Sequence, residues 1–267
     1  MKTKLVCILM LVLLSAALIS ADPALSFDQM RSGTAMGSAA LSGASGYIVL
    51  PSAEPSTASG RAVLSTGYSF IAAGPGIAHI PYIKVGFAED FELYTSFDFS
   101  PAGFDMQIGG MWRFDHRGGN SMAVGVNGQL LEAAASSSSL RYALQLYYVS
   151  TFASSFIDWP AKATLLAGYT IDGTPSTDID FGLGFAVPFF ADVFNDKAVF
   201  LIDFGNVSYS DSPSAGKAQE RGLINLGIRM LPITFGKSVL FSIDLRALDI
   251  LDESGRAVST AFHLSFI

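Results

Sequence analysis

The chain has 267 residues, 50% of them hydrophobic and only 15% charged, with a formal charge of −7. So few cations cannot neutralise a phosphate backbone, which excludes nucleic acid as the organising partner. The one cysteine, Cys7, sits near the start, so a disulfide framework and a cysteine metal site are both excluded, and no cofactor or catalytic metal motif is expected.

Residues 1–21 read as a signal peptide. Lys2 and Lys4 precede the apolar run LVCILMLVLLSAALIS, which ends on small residues near Ala21. That run has about 16 residues, short of the roughly 20 that span a bilayer as a helix. Cleavage removes both lysines and takes the formal charge from −7 to −9. Residues 22–59 then form a lead-in of small and polar residues with no sustained period, expected to be flexible. Its last part, GYIVLPSAEPSTASG, is a short apolar piece ended by two prolines. It is either a first short strand or a segment tucked into the mouth of the domain that follows.

From residue 60 to residue 267 the chain alternates apolar and polar residues almost without interruption. Period two means β-strands with one apolar and one polar face. In RAVLSTGYSFI (61–71), Leu64, Tyr68 and Phe70 oppose Arg61, Ser65 and Ser69. In PYIKVGF (81–87), Ile83, Val85 and Phe87 oppose Lys84. The stretch FELYTSFDFSPAGFDMQIGGMWRF (91–114) is a hairpin about a Pro-Ala-Gly turn. Phe91, Leu93, Phe97, Phe99, Phe104, Met106, Ile108, Trp112 and Phe114 oppose Glu92, Asp98, Asp105, Gln107 and Arg113. Further strands run over 121–130, 140–148, 161–171, 178–189, 198–205, 223–230, 239–246 and 258–267. Their polar faces carry Arg141, Lys162, Asp178, Asp180, Asp203, Arg229, Asp244, Arg246 and His263. The expected count is about 12 strands, within a range of 10 to 14. The links 150–160 and 189–196 are long for turns and leave room for strand extensions or a further hairpin.

Alternation alone does not say whether the apolar face is a core or an outside. Strand length favours a membrane barrel, since many strands approach the 9 to 11 residues of a tilted spanning strand rather than the 5 to 6 of soluble sheets. Every Lys, Arg, Asp and Glu inside a strand lies on the polar parity. Aromatic residues gather near strand ends on the apolar parity, as in the two girdles of membrane barrels. The fold expected is all-β: a transmembrane antiparallel up-and-down β-barrel over 60–267. The link 88–90 is then a periplasmic turn, and 132–139, 206–222 and 249–257 are external loops. The lumen is lined by Lys84, Glu92, Asp98, Asp105, Arg113, Arg141, Lys162, Asp180, Asp203, Arg229, Asp244 and Arg246. Their signs nearly balance, so an ion-paired lumen with a narrow passage is favoured over a wide pore.

The final strand, AFHLSFI, resembles the C-terminal strand of bacterial outer-membrane barrels, although Ile267 rather than an aromatic residue comes last. The resemblance implies insertion into the outer membrane of a diderm bacterium and handling by its assembly machinery through that strand. His263 and Ser265 have the His-x-Ser spacing of outer-membrane phospholipases, yet here both share the lumen parity. The stretch SGASGYIVLPSAEPSTASGRAVLSTGYSF resembles the N-terminal region of YjbH-like barrels, which are associated with exopolysaccharide gene clusters. It carries no functional residue over. The expected function is a small porin-like channel or transporter for small-solute or lipidic ligands, with lipid as its surroundings. The alternatives are a structural or surface-interaction barrel linked to envelope polysaccharide and, ranked last, a membrane hydrolase.

Overall fold

Pairing between the first and last strands decides whether an alternating sheet closes. The computed structural model describes residues 38–57, 61–73, 76–100, 103–132, 140–156, 159–172, 174–190, 194, 197–206, 222–236, 238–251 and 256–267. Among them one antiparallel sheet has the strands β1 (Val63–Ala73), β2 (Gly76–Phe87), β3 (Phe91–Ser100), β4 (Gly103–Arg117), β5 (Asn120–Glu132), β6 (Leu140–Phe156) and β7 (Trp159–Asp172). It continues through β8 (Thr174–Pro188), β9 (Ala198–Asn206), β10 (Gly222–Met230), β11 (Ile233–Phe235), β12 (Val239–Leu248) and β13 (Ala257–Phe266).

Each strand pairs with its chain neighbour, and two seams close the ring. β1 pairs with β2 and with β13, Leu64 standing opposite both Val85 and Phe266. β10 pairs with β9 and, through residues 226–229, with residues 247–244 of β12. The result is a closed twelve-stranded barrel. The short β11 adds a further pairing to β12, with Ile233 opposite Phe241. Closure leaves no open edge, which is the condition for β-structure in hydrocarbon.

The apolar parity faces out. Leu93 and Ile108 are each 57% exposed, while their strand neighbours Glu92 and Gln107 are 0% and 1% exposed. Aromatic rings form a band at the end of the barrel that carries the 88–90 turn. Phe87, Phe91, Trp112, Phe114 and Tyr148 succeed one another at centroid spacings of 5.6, 6.1, 6.1 and 6.3 Å. At the other end Phe104 lies 6.3 Å from Phe97 and 5.2 Å from Phe99. A closed ring with an apolar outside and two aromatic bands is a transmembrane β-barrel. Ile108→Arg puts a charge on that outer face mid-strand and is expected to cost about 2–4 kcal/mol. A lower urea midpoint for folding into lipid vesicles would show it.

The strand pattern fills in the sequence reading at one place and departs from it at another. The link 150–160 is mostly strand, because β6 runs on to Phe156 and pairs with the start of β7. Thr151 in this extension is fully buried, so the polar-inward alternation simply continues. β11 was not expected, since three residues are too few to show a period.

The lead-in departs further. Residues 38–56 are all buried inside the ring rather than flexible outside it. The segment carries one charge, Glu54, and a consecutive apolar run from Tyr47 to Leu50. Fully burying Ile48, Val49 and Leu50 is worth roughly 5–9 kcal/mol relative to exposing them. Its backbone then needs partners, and the barrel wall supplies them.

Candidate functional site: a plugged lumen

Two carboxylates of the wall grip the segment through its main chain. Asp203 Oδ2 accepts the N–H groups of Ile48, Val49 and Leu50 at 2.8, 2.8 and 3.1 Å, and its Oδ1 accepts Asn225 Nδ2 at 2.9 Å. Three successive amides converging on one oxygen form an anion nest. Glu92 accepts Ser45 N at 2.7 Å, Ser45 Oγ at 2.5 Å and Ser56 N at 2.7 Å. One side chain thus ties together residues 45 and 56, and the loop between them closes on itself through Tyr47 N to Leu50 O and Ser52 N to Ser45 O, both 2.9 Å.

Four cations grip the segment's oxygens. Arg229 donates to Gly46 O at 2.7 Å and Tyr47 O at 3.1 Å, and Arg246 to Ala39 O at 2.7 Å. Lys84 donates to Ser45 Oγ at 2.7 Å and to Ser38 O, and Lys162 pairs with Glu54. Asp244 lies behind the two arginines, 2.7 Å from Arg229 and 2.6 Å from Arg246. His263 Nε2 stands 3.2 Å from the same carboxylate, and its Nδ1 lies 2.7 Å from Tyr82 Oη. Thr151 Oγ1 accepts Ala53 N at 2.9 Å. Tyr47 Oη accepts a bond from Thr164 Oγ1 at 3.1 Å, and burial raises its phenol above the ordinary range, so it stays neutral.

The wall is also carved to receive the segment. A Cβ at Gly86 would lie 1.9 Å from Ser56 O, and one at Gly182 would lie 2.3 Å from Leu50 Cδ1. The first contact is the telling one, because backbone cannot swing aside as a side-chain tip can. Gly86→Ala is therefore expected to loosen the segment by about 1–3 kcal/mol, the usual cost of overpacking. Limited proteinase K digestion of the folded protein would report it, as faster cleavage within 38–57 while the barrel fragment stays protected.

Of the twelve residues expected to line the lumen, six hold this segment: Lys84, Glu92, Lys162, Asp203, Arg229 and Arg246. Asp244 acts through the two arginines. Arg113 faces the 88–90 turn instead, its Nε 2.9 Å from Asp90 Oδ1 and its Nη2 donating to Glu89 O at 2.8 Å. That turn holds Ala88 and Glu89 at φ of 51° and 63°, and Glu89 O also accepts Thr57 Oγ1 at 2.9 Å. Asp180 accepts Gln145 Nε2 at 2.5 Å and Thr170 Oγ1. Buried Asp98 stands opposite half-buried Asp105 across β3 and β4. Arg141 stands opposite Leu131 in β5, and its side chain is outside the described residues. Asn225, Thr151 and the amides Gln107, Gln129 and Gln145 were not among the expected site residues. All five occupy inward positions of the alternation, which was the available signal.

The His263–Ser265 pair has no hydrolase geometry. Both are buried on the lumen side, Ser265 Oγ lies 2.8 Å from Ser65 Oγ, and the histidine nitrogens face Tyr82 and Asp244.

No protein-family model matches the chain, and no curated protein does either. Solved outer-membrane barrels resemble it in architecture. The KdgM porin aligns at a TM-score of 0.48 with 8% identity, over 76% of this chain and 98% of that one. The NanC porin aligns at 0.47 with 11% identity, over 76% and 99%. Acinetobacter baumannii outer membrane protein Omp33 aligns at 0.43 with 7% identity, over 77% and 97%.

Proposed function

We propose that this protein, a porin-like outer-membrane β-barrel, is a channel or transporter for small polar solutes held shut by its own residues 38–57. The chain reaches the outer membrane after cleavage of its 1–21 signal, and the assembly machinery meets β13 before the ring closes. One observation carries the reading. Six of the twelve lumen charges that would form a selectivity ring are engaged instead by a tethered segment, five of them by its main chain. A lumen lined this way suits polar solutes better than lipidic ones once the segment moves. A hydrolase is disfavoured because His263 and Ser265 face neither each other nor lipid.

Single-channel recording in planar bilayers tests the proposal. The intact protein is expected to show a closed baseline with brief openings, and a variant lacking 38–57 a steady, larger conductance. The same dense anchoring would equally suit a permanently sealed structural barrel. A folded variant without the segment that stayed silent would favour that second reading.

A further inference from the structure

Beyond the plug, the inner wall of β4–β7 carries a row of neutral amides. Gln107 stands opposite Gln129, while Asn127 stands opposite Gln145, which stands opposite Thr170. These positions lie further from the 88–90 turn along their strands than Met111, Gly125 and Tyr147, their inward neighbours nearer that turn. Gln129 is 2% exposed and, among the described residues, neither its oxygen nor its nitrogen has a hydrogen-bond partner; Gln107, at 1%, has an Nε2 without one there. A buried side-chain amide left with no partner costs about 1–3 kcal/mol, so a wall that keeps one has a use for it.

The floor beneath the row is aromatic. The Tyr94 ring lies across Gly109 and the Tyr147 ring across Gly125, so close that a Cβ at either glycine would fall 2.2–2.4 Å from ring atoms. Their hydroxyls are 3.4 Å apart. Asp180, bonded to Gln145, adds a carboxylate at one end. Amides give paired donors and acceptors, a carboxylate accepts hydroxyl protons, and flat rings offer an apolar face. The side chains named here are neutral apart from Asp180.

We infer that the amide row of β4–β7 is a binding site for a neutral polyhydroxylated solute, a polyol or uncharged sugar, with Gln129 as its central contact. Adjacent hydroxyls of such a molecule satisfy both atoms of one amide, while an anionic sugar meets Asp180 with repulsion. Occupancy of the site is read by binding, without any conductance.

Equilibrium dialysis of the detergent-folded barrel against radiolabelled maltose and radiolabelled glucuronate tests it. Saturable maltose binding is expected, with glucuronate weaker. Gln129→Leu keeps the bulk, removes both polar atoms and should weaken maltose roughly 10-fold, the worth of one to two hydrogen bonds. The heat-modifiable shift on electrophoresis reports that the variant is folded. Should it fail to fold, Gln129→Glu, which replaces the amide donor with a charge, carries the same expectation. Absence of saturable maltose binding, equal affinity in the folded variant, or tighter binding of glucuronate would overturn the assignment. A silent bilayer recording would leave it standing, so the two readings fail separately.

Discussion

Asp203→Ala is expected to turn a barrel with brief openings into one that is open much of the time. The substitution strips the shared acceptor from the N–H groups of Ile48, Val49 and Leu50. A buried donor left without its partner costs about 1–3 kcal/mol, so three together are worth several kcal/mol against the seated segment. Only the seated state suffers, because a displaced segment hydrogen-bonds water. Conductance and protease cleavage within 38–57 should therefore rise together, with little change in the temperature at which the barrel itself unfolds on electrophoresis. Asp203→Asn keeps an acceptor oxygen without the charge and should fall between the two. A folded Asp203→Ala barrel as quiet as the parent would refute the gating role of this contact.

Asp244→Ala is expected to weaken the barrel itself. It leaves the buried guanidinium groups of Arg229 and Arg246 without a carboxylate, and breaking a buried ion pair from one side costs about 3–5 kcal/mol. The loss falls on the β10–β12 seam, where Arg229 and Asp244 are direct cross-strand partners in a pairing of only four residues. The urea midpoint for folding into vesicles should drop accordingly. The replacement of Asp244, Arg229 and Arg246 together by Leu, Met and Leu should recover much of it, because no charge is then stranded. A midpoint unmoved by Asp244→Ala would show that the cluster is solvated and carries no seam energy.

The wall of this barrel was legible because a membrane imposes period two on each strand. The outward set from Phe91 to Phe114 and its inward counterpart Glu92 to Arg113 needed only residue parity. β6 beyond Val149 was harder, since Ser150 to Phe156 holds small and polar residues on both parities and its strand character comes from pairing with β7. The plug was hardest. Tyr47 to Leu50 are consecutive and have no period, and the groups that seat them, Asp203 and Arg229, lie more than 150 residues away. The short apolar run between Gly46 and Pro51 did mark something to be tucked away, as the sequence reading allowed. It could not say that the lumen charges were its partners. Arg229 and Arg246 read as pore lining because an unpaired cation on a polar strand face looks the same whether it meets water or a carbonyl.

Five residues separate Thr57, the last described residue of the plug, from Val63, the first of β1. A tether that short holds a released segment at an effective concentration of millimolar order or above. Recapture is then a local event that dilution cannot slow, and the occupancy of the closed state is the same in one molecule per cell as in a crowded membrane. Anything that keeps the passage open has to hold the segment elsewhere or occupy its seats, since simple release is undone by the chain's own connectivity.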